Sequence, residues 1–283
     1  MERREYRLRL GVTLVKHASS REVDLAEIRL HYLEWDGIEP PVLLLHPNRT
    51  NARVWDFVVD ASALPNRFLA PDQRGHGLSD YPESGYLYED YIADMLALLD
   101  DLGVARVHLV GAATGGNIAL LMASDHGGRV ESLTVIDPGL SLDPSINRRV
   151  QAQIASEYTF HSLEEARARM PFSDRWSDEM KEHYARYSFA IGEEGSATWR
   201  YDIPAVAATE HMLEEPLWDR LSVSCPTLAI RGVASEVFPA HNLQTLCEIV
   251  PQTVAHEIDA DHRVSQDNPL ALAALLDGFI SSG

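Results

Sequence analysis

The chain has 283 residues, 45% of them hydrophobic, and a net charge of −19. That length and apolar content can bury a large core, as one big α/β domain or a domain with an insertion. The acidity argues against phosphate backbones and anionic lipid surfaces, because the short start MERREYRLR is the one basic cluster that offsets it.

No apolar stretch follows those N-terminal charges, and no segment reaches the length needed to span a bilayer. The expected setting is cytoplasmic, with a small-molecule substrate, no nucleic acid, no membrane, and a monomer or homodimer. Cys225 and Cys247 are the two cysteines. They match no metal-ligand spacing and read as small buried hydrophobes, so neither metal nor cofactor is expected.

In chain order, an alternating and half-exposed strand is predicted at 23–35, followed by short apolar strands at 41–45 and 67–70. A helix at 88–102, a strand at 106–110, a helix at 117–125 and a strand at 132–136 come next. Strands at 227–230 and 253–258 and helices at 241–249 and 269–281 complete the alternation, which argues for a mostly parallel sheet covered on both faces. Residues 141–221 break the pattern. They show no convincing buried strand, only charged amphipathic helical stretches such as 162–170 and 178–188, interleaved with aromatic residues. The expected organisation is a core of 1–140 and 222–283 carrying a helical cap, 141–221, over the carboxyl ends of the strands, where open α/β sheets bind ligands. Most of the cap aromatics should hold it together; Trp176, Tyr187 and Trp199 are the candidates to face a substrate.

The stretch LVGAATGGNIAL, residues 109–120, has the outline of a G-x-S-x-G turn, in which one side chain is held on a strained strand-to-helix corner. Its central residue is Ala113, where Ser, Cys or Asp would stand in a nucleophile elbow. LLLHPNRTN (43–51) and APDQRGHGLSDYP (70–82) each end a strand in a polar loop, PTLAIRGVASEVFP (226–239) holds another strand end, and DADHRVSQDNP (259–269) follows the last strand. Five such pieces in this order resemble the α/β-hydrolase superfamily across nearly the whole chain. The likeness is to the capped branch of esterases, lactonases and amide hydrolases, and DQRGHGLSDYPESGY is similar to a run in an amide-cleaving member.

The resemblance implies an α/β-hydrolase fold: a mostly parallel eight-stranded sheet, helices on both faces and a helical cap. It also implies site roles. His262 lies where the general base of the family lies, while His46 and His76 belong to the scaffold. The oxyanion hole falls to the N–H groups of Asn48 and Thr114; Pro47 replaces the usual Gly but leaves the Asn48 N–H in place. Arg49, beside that hole, is a candidate to bind a substrate carboxylate. Haloalkane dehalogenases also use an Asn at the Asn48 position, but they need an Asp nucleophile, which is absent here. Two residues compete to orient His262: Asp137, whose separation of 137 − 113 = 24 residues from the elbow fits members with the acid at that strand end, and Glu236, at the more usual place. Asp137 is preferred.

A strained turn is hard to explain without a present or past nucleophile. Ala113 therefore reads as a serine replaced by alanine, by engineering in preference to natural loss. The leading reading is a hydrolase of a small carboxylic ester, lactone or amide through Ser-His-Asp/Glu chemistry. Two others stay open: a cofactor-free general-base oxygenase or lyase using His262 and its carboxylate, and a non-catalytic binding protein.

Overall fold

The computed structural model describes residues 16–142, 145, 159–170 and 172–282. The basic N-terminal run and residues 143–144, 146–158 and 171 of the expected cap lie outside them. The core strands are β1 (Ser19–Asp24), β2 (Arg29–Trp35), β3 (Ile38–Leu45), β4 (Asn66–Pro71), β5 (Val107–Ala112) and β6 (Val130–Ile136). Within 141–221, the expected cap, lie β7 (Thr159–Phe160), β8 (Phe189–Ile191) and β9 (Ala197–Trp199), and the strands of the large sheet resume with β10 (Thr227–Gly232) and β11 (Thr253–Ile258). Helices α1 (Asp56–Ala61), α2 (Tyr88–Asp101) and α3 (Thr114–Asp125) lie in the first part of the core. The cap holds α4 (Leu163–Ala168), α5 (Asp178–Ser188) and α6 (Ile203–Met212). Then follow α7 (Ala240–Ile249), α8 (Val264–Asp267) and α9 (Pro269–Ser281).

Eight strands form one sheet in the order β1-β2-β4-β3-β5-β6-β10-β11. The run from β4 to β11 is parallel, while β2 pairs antiparallel with both β1 and β4. The expected mostly parallel eight-stranded sheet is thus present. Its alternation assigns each face. Leu43, Leu45, Leu109, Leu133 and Val135 join one core with Met95 and Leu98 of α2, Ile118 and Leu121 of α3, and Leu246 of α7. Their neighbours Val42, Leu44, Val110 and Ile136 join a second core with Val58 of α1 and Leu272 and Leu276 of α9. Successive side chains of a strand point to opposite faces, so a strand buried on both faces reads as an unbroken apolar run.

Two expectations need correction. The stretch 23–35 is a hairpin, β1 and β2, rather than one strand. The cap is not purely helical either, since β7, β9 and β8 form a three-stranded antiparallel sheet. Strands this short carry too few residues for a period of two to show in the sequence.

The loop after β4 is built around a buried carboxylate. Asp72 accepts hydrogen bonds from the Ala52 N–H at 2.7 Å, the Leu78 N–H at 2.8 Å and His31 Nδ1 at 2.8 Å. Burial alone pushes this carboxyl up, but the hydrogen bond and charge of His31 bring it below its ordinary value. Gly77 sits against it with φ +61, and a Cβ there would lie 2.1 Å from the carboxylate. Removing the carboxylate leaves three buried donors, the Ala52 and Leu78 N–H groups and His31 Nδ1, without their acceptor, so Asp72→Ala should cost about 3 kcal/mol or more at neutral pH, read by denaturant unfolding. A carboxyl depressed in the folded state stabilises above its unfolded pKa and loses that contribution as pH falls through the folded value. The gap between Asp72→Ala and the parent should accordingly narrow in acid, below a pH of about 4.

Candidate active site

β5 rises into Gly111 and Ala112, and α3 begins at Thr114, which leaves Ala113 alone on the corner with φ 49 and ψ −117. The corner is tight because strand and helix backbones almost touch. A Cβ on Gly111 would fall 2.1 Å from the Gly115 carbonyl oxygen, and one on Gly115 would fall 2.4 Å from the Leu45 carbonyl oxygen. The Ala113 N–H donates to the Ile136 carbonyl at 2.9 Å, fixing the corner to the end of β6.

The residue after Ile136 is Asp137, which is fully buried and has φ 49. Its Oδ1 accepts the Gly232 N–H at 2.9 Å, and its Oδ2 accepts the Ser235 hydroxyl at 2.5 Å and His262 Nδ1–H at 2.7 Å. Three donors satisfy the buried charge, and they leave the other ring nitrogen, Nε2, as the basic atom of His262. Of the two competing acids, Asp137 is the one in hydrogen-bond contact with His262; Glu236 is exposed, one residue beyond the Ser235 that clamps Asp137. Ser235 was missed in the sequence, where a loop serine beside a candidate acid carries no distinguishing signal.

The loop bearing His262 is tied to the cap. The His262 N–H donates to Asp261 Oδ1 at 2.7 Å, the Asp261 N–H to Asp267 Oδ2 at 2.8 Å, and Trp176 Nε1 to Asp267 Oδ1 at 2.8 Å. Trp176 is only 3% exposed and packs with Phe57 and Met180, so it pins the cap to this loop. The other two aromatic candidates are also engaged. Trp199 stacks on Tyr201 at 5.6 Å and on Phe189 at 4.2 Å. Tyr187 packs on His183 at 4.9 Å, lies 4.6 Å from the Arg53 guanidinium, and its carbonyl accepts from Asn51 Nδ2 at 3.0 Å.

Asn48 and Arg49 follow β3 in a loop stiffened by two histidines. His46 donates Nδ1–H to the Pro47 carbonyl at 2.8 Å and accepts the Gln73 N–H at Nε2, 3.0 Å. His76 donates Nδ1–H to the Arg74 carbonyl at 3.0 Å and accepts the Arg49 N–H at Nε2, 3.3 Å, with the Asn48 amide oxygen 3.0 Å from the same nitrogen. Burial lowers both imidazoles, His76 to about 3, so they stay neutral at physiological pH. Thr114 is buried at the first turn of α3. Among the described residues no group of three or more His, Cys, Asp or Glu side chains is arranged to hold a metal, and no helix is long and apolar enough to cross a membrane.

Non-glycine residues with positive φ among those described are Arg49, Ala113, Asp137 and Glu194. Three of the four belong to this one site, and such backbone strain concentrates where function requires it.

Comparison with known proteins agrees with this architecture. Residues 40–269 match the family described as the alpha/beta hydrolase fold. The chain is 27% identical to 2-(acetamidomethylene)succinate hydrolase of Mesorhizobium japonicum, over 94% of this chain and 96% of that one. It is 28% identical to 3-hydroxybutyrate-oligomer hydrolase of Cupriavidus necator, over 74% of this chain and 78% of that one. The crystal structure of E-2-(acetamidomethylene)succinate hydrolase superposes with a TM-score of 0.84 and 26% identity, covering 94% of this chain and 100% of the other.

The strain at the corner is measurable. A residue without a Cβ relieves it, so Ala113→Gly should raise stability by about 1 kcal/mol despite glycine's greater entropy when unfolded. Thermal unfolding checks this, and a fall in Tm would show that Ala113 is at ease in its conformation.

Proposed function

The chain belongs to the α/β-hydrolase fold family, and from that premise we propose that it is a hydrolase of a small carboxylic ester, lactone or amide whose nucleophile serine is replaced by Ala113. The observation that carries the reading is the His262–Asp137 pair at 2.7 Å, set at the end of the strand next to a strained corner that no catalytic side chain occupies. With a hydroxyl on residue 113, His262 Nε2 takes its proton as the oxygen attacks the acyl carbon. Asp137 holds the ring in the required tautomer and stabilises the imidazolium that forms. The N–H groups of Asn48 and Thr114 are the proposed donors to the developing oxyanion, and donors fixed in advance need no reorganisation during reaction. His262 then returns the proton to the leaving alcohol or amine, and water repeats the sequence to release the acid. Two relatives lend support by name, one a hydrolase of an acetamido compound and one of a hydroxybutyrate oligomer. The small-molecule substrate, the absence of nucleic-acid and membrane partners, and a cytoplasmic monomer or homodimer belong to the same proposal.

A second reading has one observation in its favour: the acid–base pair is complete while position 113 offers only a methyl group. On that reading His262 acts alone, drawing a proton from substrate or water.

Turnover separates the two. A hydroxyl nucleophile carries about 10⁶-fold in kcat, so Ala113→Ser should raise hydrolysis of small esters and lactones by three orders of magnitude or more over the chain as it stands. Adding Asp137→Asn to the serine form should cost about 10⁴-fold, because the base then loses its tautomer. Equal and negligible hydrolysis by both forms, with proton abstraction by the alanine form that His262→Ala abolishes, would establish the second reading.

A further inference from the structure

The loop after β10 aims one hydroxyl at Asp137. Ser235 is buried, and its hydroxyl donates at 2.5 Å to Asp137 Oδ2, the same oxygen that accepts His262 Nδ1–H at 2.7 Å. The hydroxyl is not at liberty to turn. Its oxygen accepts the Val237 N–H at 3.2 Å and the Phe238 N–H at 3.4 Å, which leaves its single proton directed to the carboxylate. The loop is itself braced by a buried arginine at the end of β10. Arg231 donates Nε–H to the Phe238 carbonyl at 2.7 Å and Nη2–H to the Val233 carbonyl at 3.1 Å, and its Nη1 pairs with Glu257 at 2.6 Å. The Val233 and Ala234 N–H groups reach the Ile258 and Ala260 carbonyls at 2.9 and 3.0 Å. The segment carrying Ser235 is therefore bound to the strand end that leads into His262.

A hydroxyl bonded to a carboxylate at this distance belongs to the strong, charge-assisted class. Two donors on one oxygen share its charge, so what Ser235 draws from Oδ2 is withdrawn from the attraction between Asp137 and a protonated His262. We infer that Ser235 is a positioning residue of the His262–Asp137 pair: its hydroxyl holds Oδ2 toward the ring and tempers its charge, so that the imidazole is neutral, and able to take a proton, at a lower pH than Asp137 would otherwise allow. This rests on the proposed role of His262 as the base and is separate from the identity of residue 113. The other charged groups around the His262 loop are engaged elsewhere. Asp261 Oδ1 takes the His262 N–H, and Asp267 takes Trp176 Nε1 and the Asp261 N–H. From the segment 172–176, Arg175 pairs with Asp259 at 3.0 Å. The Arg263 guanidinium lies 5.3 Å from the Trp176 ring, and on the β10 side Arg231 pairs with Glu257 while Glu236 is exposed. Removing the Ser235 hydroxyl alone leaves these groups in place.

The chain as it stands, with Ala113, tests this without turnover. The probe is the Cε1–H proton of the His262 ring, followed by NMR against pH and assigned by its loss in His262→Ala. In Ser235→Ala the ring should become neutral only at a proton concentration at least about threefold lower than in the parent, as expected for losing a hydrogen bond to a charged group. Ser235→Thr, which keeps the hydroxyl, should return the transition to the parent's pH. A serine that merely supported the loop would lower Tm and leave the transition where it was. If Ser235→Ala fails to fold by circular dichroism, Ser235→Cys carries the test, because a thiol is a weak donor and should displace the transition in the same direction. A transition that stays in place or moves to lower pH in the folded alanine or cysteine form, or one displaced equally by alanine and threonine, would overturn the inference. The Ala113→Ser form separates this claim from the hydrolase reading. If the transition moves as stated but the serine form cleaves no ester or lactone, the role of Ser235 stands and the hydrolase reading falls. If the serine form is active and Ser235→Ala leaves the acid side of its pH–rate profile unmoved, the role of Ser235 falls and the hydrolase reading stands.

Discussion

The site depends on one backbone conformation. Ala113 is held at φ 49 and ψ −117 because β5 and α3 must turn within a single residue, over a contact so close that only glycine fits at 111 and 115. An alanine gains nothing from that conformation, and its cost is of order 1–3 kcal/mol. The surrounding fold overrides it through the hydrogen bond to Ile136 and the buried helix that follows. Because the same strand end leads directly into Asp137, the corner and the acid are placed together by the sheet register. A change that relaxed one would displace the other.

From that corner the arrangement extends outward through hydrogen bonds. Asp137 ties β6 to β10 through Gly232 and reaches the last loop through His262. The His262 loop is in turn fastened to the cap by the path Asp261, Asp267, Trp176. The imidazole is therefore positioned both by the core and by the cap. Trp176 is thereby joined by hydrogen bonds to the loop that holds the ring, whichever reaction the site performs.

Much of the core was legible in the sequence because strands buried on both faces are unbroken apolar runs: Leu43, Leu44 and Leu45 divide between the two cores without any polar interruption. Gly111 and Gly115 marked the corner, and the loop histidine and Asp137 were visible as strand-end residues. The cap was harder to read. Its strands β7, β8 and β9 have two or three residues each, and their aromatics serve a small core of Phe160, Phe189 and Trp199 that periodicity does not reveal. Pairwise facts of the tertiary structure were also hidden. Nothing in the order of residues says that Trp176 meets Asp267 or that Ser235 meets Asp137, because each depends on segments brought together from distant parts of the chain.

The central claim is that a serine-hydrolase site survives here without its hydroxyl, and covalent labelling addresses it most directly. A small fluorophosphonate should leave the chain with Ala113 unmodified and should add one phosphonyl group to the Ala113→Ser form, mapped by peptide mass spectrometry to residue 113 and abolished by His262→Ala. Failure of a folded Ala113→Ser protein to label, or labelling that His262→Ala leaves untouched, would contradict it.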